Sequence, residues 1–198
     1  DWTRTQLDFK LSTDGLALRF NYLHIIIFEK YILKLKNLER RYTSKQIISA
    51  EKLFKKMKLK ELNDLKYAVM GGLPAAEKKY SIKEFKEMLL AYKDLKDEDL
   101  RNNLKYFLKE IIPVAEENKI KMALHPDDPP LPLFGVPRIV SSLEDYKSIL
   151  NSYDSHSNGV TFCAGSLASN IKNDVYEIFK NLRKKINFIH LRNVKIES

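Results

Sequence analysis

The order of apolar runs in this sequence predicts an α/β protein built on a parallel sheet. Three observations carry that prediction. Short apolar runs at 120–124, 159–163 and 186–189 alternate with stretches of helical periodicity. Such alternation calls for crossover connections, which leave neighbouring strands parallel. The runs are mostly apolar, broken only by Lys121, Thr161 and Asn187, rather than apolar at every second residue, as suits strands covered on both faces. Between 43 and 119 the chain carries capping boxes and apolar residues three and four apart, so helices precede the strands. A barrel and an open doubly wound sheet both satisfy this pattern.

Taken in order, residues 1–21 read as loop, with Thr13-Asp14-Gly15 as a turn. Residues 22–36 are rich in β-branched side chains, yet the run is too long for one strand and Asn21 can cap a helix; helix is preferred. Thr43-Ser44-Lys45-Gln46 and Ser81-Ile82-Lys83-Glu84 are capping boxes that open helices near 44–57 and 82–93. A helix near 59–70 lies between them and ends at Gly71-Gly72, with Pro74 as a stop. A fourth begins near Asp97, with Leu100, Leu104, Phe107, Leu108, Ile111, Ile112 and Ala115 along one face. Pro113 inside it should kink it or loosen one turn. Ser141-Ser142-Leu143-Glu144 offers a capping box for a helix to about 151. A last helix over 173–184 points Val175, Ile178, Phe179 and Leu182 inward.

Composition narrows the function classes. The 198 residues make one domain of ordinary size or part of a larger one. The net charge of +9 raises a nucleic-acid reading, but the cations are 27 lysines against 8 arginines, spread along the helices. Readers of bases and phosphates favour clustered arginine forks with interleaved aromatics. A basic nucleic-acid-binding module is therefore a rival reading only, and it predicts steeply salt-dependent binding to duplex DNA. The longest apolar run, Ile25-Ile26-Ile27-Phe28, is cut off by Glu29 and Lys30, so no membrane partner is expected. A lone cysteine, Cys163, excludes an internal disulfide and suits a reducing cytoplasm. The chain opens on Asp1-Trp2 without methionine and stops at Ser198 after a strand-like run, which reads as a fragment.

Each of the three strand-like runs ends in a potential metal ligand: His125, Cys163 and His190. In parallel α/β folds, sites form at the carboxyl ends of the strands. Imidazole and thiolate are good donors to divalent transition metals, so three of them at that one place point to a shared cation. The plain alternatives are a polar residue where a strand meets water and, for the cysteine, a small core hydrophobe. His24 and His156 lack such a setting and read as surface residues. Asp127 and Asp128 suit either substrate contacts or an Asx turn before Pro129. Arg192 and Asn193 follow His190 at the same rim, where an arginine can clamp a carboxylate bidentately or pair with a neighbouring acid.

The stretches "HPDDPPLPLFGVPRIV", "TFCAGSLASN" and "FIHLRNVK", in this order and spacing, closely resemble the metal-dependent mannonate dehydratases of hexuronate breakdown. "DWTRT" and "GLPAAEKKYSIKEFKEML" are similar to that family as well, so the resemblance covers nearly the whole chain. It implies a partial (β/α)8 TIM barrel of the xylose-isomerase-like type over 1–198, a single domain with a helical insertion at about 44–93. It implies a lyase that dehydrates D-mannonate to 2-keto-3-deoxy-D-gluconate with Mn2+ or Fe2+. His125, Cys163 and His190 match three of the family's metal ligands, and Arg192, Asn193 and Asp127 are the expected substrate contacts. The fourth ligand, an aspartate followed by a catalytic histidine on the last strand, and a catalytic tyrosine are expected outside this chain, as are the first barrel strands. The fragment is accordingly expected to be inactive alone, with a sugar acid as its only expected small-molecule partner and a homo-oligomer left open. Another xylose-isomerase-like sugar isomerase is the competing enzyme class. Bare ligand softness would favour zinc or iron(II) over manganese.

Overall fold

In the computed structural model, residues 2–71 and 80–197 are described. The chain divides into two compact units, Asp1–Lys93 and Asp94–Ser198.

The first unit opens with an antiparallel hairpin, β1 (Gln6–Lys10) and β2 (Leu16–Arg19). This corrects the expectation of loop over 1–21. The turn falls where Thr13-Asp14-Gly15 predicts it, with Asp14 at φ 61°. The strands are short and none of their residues is buried, so the alternation of Leu7 and Phe9 with polar neighbours is too brief to mark a strand.

Helix α1 (Tyr22–Ile27) follows, and Asn21 caps it by accepting the backbone N–H groups of Leu23 and His24. It continues as one wider turn over Phe28–Ile32. The helical preference holds despite the β-branched content, because Ile25, Ile26, Ile27 and Phe28 are all fully buried. Burial of four successive side chains outweighs a propensity deficit of a few tenths of a kcal/mol each, about. His24 is half-buried rather than at the surface. Burial and the Arg19 charge lower its pKa. The capping boxes of α2 (Ser44–Phe54) and α4 (Ile82–Ala91) form as expected, on Thr43 with Gln46 and on Ser81 with Glu84. Between them α3 (Leu59–Met70) is capped by Gly71, while Gly72 and Pro74 lie outside the described residues.

One buried ionic group organises this unit. Glu29 is fully buried. Its Oε2 accepts from Arg41 Nη2 at 2.5 Å and Nε at 3.2 Å, and its Oε1 accepts from Tyr42 Oη at 2.7 Å. Burial, followed by the Glu29 charge, pushes the Tyr42 phenol well above its usual range.

The second unit begins with α5 (Asp97–Glu117), which runs without a break through Pro113. Pro113 has no N–H to donate, so one intrahelical hydrogen bond is missing within a helix that otherwise continues. Strand β3 (Met122–Leu124), α6 (Leu143–Leu150), β4 (Asn158–Cys163), α7 (Ala164–Ala168), α8 (Val175–Leu182) and β5 (Ile186–His190) follow. The strands pair in parallel in the order β3-β4-β5, the architecture the alternating pattern predicts. Two local readings change. The α6 cap is Ser142 with Asp145, one residue beyond Ser141 with Glu144. Helix α7 was not anticipated, since a five-residue helix offers no periodicity to read.

Leu108 and Ile112 of α5, Tyr146, Ile149 and Leu150 of α6, Val160 and Phe162 of β4, Leu167 of α7, and Ile178 and Leu182 of α8 form one core. Every residue of β4 is buried, including the polar Asn158 and Thr161, whose side chains donate to the Tyr153 and Ala123 carbonyls. In β5, by contrast, Phe188 and Ile189 are exposed, so double-sided cover holds for the central strand and not for this edge. No helix among the described residues is long and apolar enough to cross a membrane.

Gly159 sets how closely β4 and β5 approach. A Cβ there would lie 2.1 Å from Asn187 Nδ2 and 2.7 Å from the Lys185 carbonyl oxygen. Asn187 Nδ2 itself reaches across to donate to the Met122 carbonyl of β3 at 2.7 Å. Gly159→Ala should therefore lower stability by about 1–3 kcal/mol through overpacking, seen as a lower urea midpoint with unchanged slope. A wild-type midpoint would show that the strands can part at no cost.

Candidate metal centre

Parallel pairing brings the three sequence-predicted donors to one rim. His125 is the first residue past β3, and Cys163 and His190 close β4 and β5 in register with each other. One ligand atom from each lies within 4.8 Å of the other two. No other group of three or more His, Cys, Asp or Glu side chains of this kind is found among the described residues. His156 is exposed and stands apart, as expected.

The donors are prepared as well as gathered. His125 Nδ1 lies 2.7 Å from the Pro126 carbonyl oxygen, which can only accept, so Nδ1 carries the proton. That leaves Nε2 of neutral His125 as the lone-pair nitrogen, 3.2 Å from His190 Nδ1. Fixing one ring nitrogen to a carbonyl so that the other faces a cation is the usual way a protein orients a histidine ligand. Cys163 is fully buried, and its Sγ receives a hydrogen bond from Ser166 Oγ at 3.1 Å. Burial pushes the Cys163 thiol up, but hydrogen bonds from His125 and Ser166 and the Arg192 charge outweigh it and bring it down to about 6. The bond with Cys163 raises the His125 pKa; burial opposes that rise and the Pro126 carbonyl adds to it. In the metal-free pair each group thus favours the charged form of the other. Two imidazoles and a ready thiolate form a donor set that a divalent transition metal fits.

The linkage signs are opposite for the two groups. The thiolate contributes stability fully above the unfolded thiol pKa and loses it as pH falls through about 6. His125 contributes below its unfolded pKa, and that is lost as pH rises through its raised folded value. Since Cys163 is the only cysteine, ultraviolet thiolate absorbance reports it alone. In EDTA-treated protein that absorbance should titrate near pH 6. A midpoint near the ordinary cysteine value of about 8.5 would contradict this electrostatic account.

The expected substrate contacts fall in different settings. Arg192 Nη2 donates to Asp128 Oδ2 at 2.7 Å and to Ser166 Oγ at 2.7 Å, so one part of its guanidinium is already held. Asp127 is tied to the segment 138–141: it accepts from the Val140 N–H at 2.8 Å and from Ser141 Oγ at 3.4 Å, and pairs with Arg138 at 3.5 Å. Asn193 is exposed, and its side chain accepts the Val194 N–H at 3.0 Å. Sequence reasoning missed Ser166. Its only signal is the spacing Cys163-x-x-Ser166, which faces the two side chains toward each other only once α7 exists.

Comparison with known proteins agrees with these motifs. The family model described as D-mannonate dehydratase (UxuA) matches residues 1–198. The chain is 38% identical over 197 residues to a mannonate dehydratase of Marinomonas sp. (strain MWYL1), and 40% identical over 197 residues to one of Saccharophagus degradans. Each match takes in all of this chain and half of the relative. A crystal structure of mannonate dehydratase from Streptococcus suis serotype 2 superposes with a TM-score of 0.65 at 34% identity, over 98% of this chain and 42% of that one. The chain spans about half the length of the curated relatives it matches. With the motifs, the parallel strands and the match along its entire length in agreement, the chain belongs to the D-mannonate dehydratase family.

Proposed function

We propose that this chain contributes three ligands of the catalytic cation to an enzyme that dehydrates D-mannonate to 2-keto-3-deoxy-D-gluconate. The observation that carries the proposal is the meeting of His125, Cys163 and His190 donor atoms within 4.8 Å at the carboxyl ends of parallel strands. We read 1–198 as one partial (β/α)8 barrel domain of the xylose-isomerase-like type, with residues 44–93 as its helical insertion. Family membership and the parallel β3-β4-β5 sheet support that reading.

Dehydration removes the proton α to the carboxylate and expels the neighbouring hydroxyl; the enol formed becomes the 2-keto acid. When bound, a divalent cation supplies positive charge where the enediolate develops. His125, Cys163 and His190 would hold it. Arg192 is the group for the substrate carboxylate: Asp128 and Ser166 engage Nη2, and the side chain is 39% exposed, so further N–H groups can reach a ligand. Asn193 lies beside it on the rim. Asp127 acts from behind, since its carboxylate is taken up by Val140, Ser141 and Arg138.

Manganese or iron(II) is the proposed metal, in keeping with the family resemblance. The test is α-keto acid release from D-mannonate by the complete enzyme that contains this chain, purified anaerobically, with metal content measured on the same sample. EDTA should abolish release, and Mn2+ or Fe2+ should restore it. Aldose–ketose conversion without loss of water would replace the lyase with an isomerase. Zinc as the sole metal of an active sample would overturn the metal choice.

A further inference from the structure

We propose that Ser166 is a positioning residue for the Cys163 sulfur: its hydroxyl aims its single proton at Sγ and thereby sets how strongly that sulfur donates to a bound cation. The proposal rests on the metal reading above.

Ser166 is fully buried in α7, three residues after Cys163. Its Oγ lies 3.1 Å from Sγ. A hydroxyl offers one proton and two lone pairs, whereas an arginine offers only protons. Arg192 Nη2, 2.7 Å from the same Oγ, must therefore occupy a lone pair. The hydroxyl proton is left to point at the sulfur. Arg192 is itself held, because Nη2 also meets Oδ2 of the buried Asp128 at 2.7 Å. Gly165 makes room for this arrangement, since a Cβ there would lie 2.6 Å from Arg192 Nε.

The bonded series Asp128–Arg192–Ser166–Cys163 joins three separate chain segments. Asp128 belongs to the loop after β3 that starts with His125. Ser166 belongs to the helix that follows β4 and Cys163. Arg192 lies two residues past His190 and β5. One hydrogen-bonded series thus ties together the three chain segments that carry the donors. Partners behind the ligands orient them and tune their donor strength. A hydrogen bond to a thiolate lowers the energy of its lone pairs, so less charge passes to the metal.

Cobalt(II) is a suitable probe, because a thiolate bound to it gives a sulfur-to-metal charge-transfer band in the near ultraviolet. The full chain loaded with Co2+ should show that band. Ser166→Ala should move it to lower energy, because the sulfur becomes the stronger donor, and should still weaken Co2+ binding by about 10-fold, because the loss of the group that orients the sulfur outweighs that gain. Ser166→Thr, which keeps a hydroxyl, should return both toward wild type. Asp128→Asn leaves the hydroxyl in place but loosens Arg192, and should shift the band in the same direction by less. Circular dichroism on each variant separates these effects from unfolding. A Ser166→Ala protein, folded and unshifted in band and affinity, would overturn the proposal. So would a folded Ser166→Thr protein that matches Ser166→Ala. A wild-type protein with no thiolate band marks a different failure, that of the metal reading itself.

Discussion

Cys163→Ala should remove stoichiometric cation binding and, with it, α-keto acid release by the complete enzyme that contains this chain. The size of the effect follows from the geometry. Removing a partner that merely orients a ligand costs about 10–100-fold in metal affinity. Removing a ligand should exceed that range, so a loss greater than about 100-fold is expected. Cys163 is the one soft anionic donor of the set; without it two neutral imidazoles face the cation. The alanine protein should remain folded, because the lost atom is a single sulfur and the β4 backbone pairing is untouched. His156→Ala is the matching control: it is exposed, lies outside the cluster and should bind metal as wild type does. Metal content after dialysis against a weak chelator, compared across the two variants, decides the matter. A Cys163→Ala protein that keeps one tightly held metal per chain would show that the His–Cys–His cluster is not the cation site.

Glu29→Ala should destabilise the first unit by about 3–5 kcal/mol. The reason is that it breaks a buried ion pair from one side. Arg41 would keep a charge beside a space from which its carboxylate had gone, and Tyr42 Oη would lose its 2.7 Å acceptor. Glu29→Gln keeps the shape and one carbonyl acceptor but not the charge, so it should fall between alanine and wild type. Urea or thermal unfolding of the two variants checks this, with the order wild type, glutamine, alanine expected. Equal stability of the alanine variant and wild type would mean that Arg41 and Tyr42 find water or other partners without cost.

Much of the helical framework is legible in the sequence, because its signals are local. Thr43 with Gln46 and Ser81 with Glu84 mark helix starts within four residues of chain, and those starts are where the structure has them. The same holds for the apolar face that buries Leu108, Ile112 and Ala115 of α5. The β1–β2 hairpin was not legible, since its stability comes from pairing between strands with little buried surface to betray them. Glu29 read as the residue that ends an apolar run. Its buried role depends on Arg41 and Tyr42, twelve and thirteen positions away, and no pattern over one helical turn can show that.

The candidate site divides in the same way. Residue type and place at a strand end pick out His125, Cys163 and His190, and the motifs around them point to the family from the sequence by itself. That much is chemistry carried by individual side chains and by short spacing. Which protons sit on them was decided by the fold. The Pro126 carbonyl fixes the His125 tautomer, Ser166 turns its hydroxyl to the sulfur, and Arg192 is drawn to Asp128, 64 positions away in the chain. Hydrogen bonds have short range and strict direction, so groups distant along the chain acquire them only after parallel pairing has set three loop ends side by side.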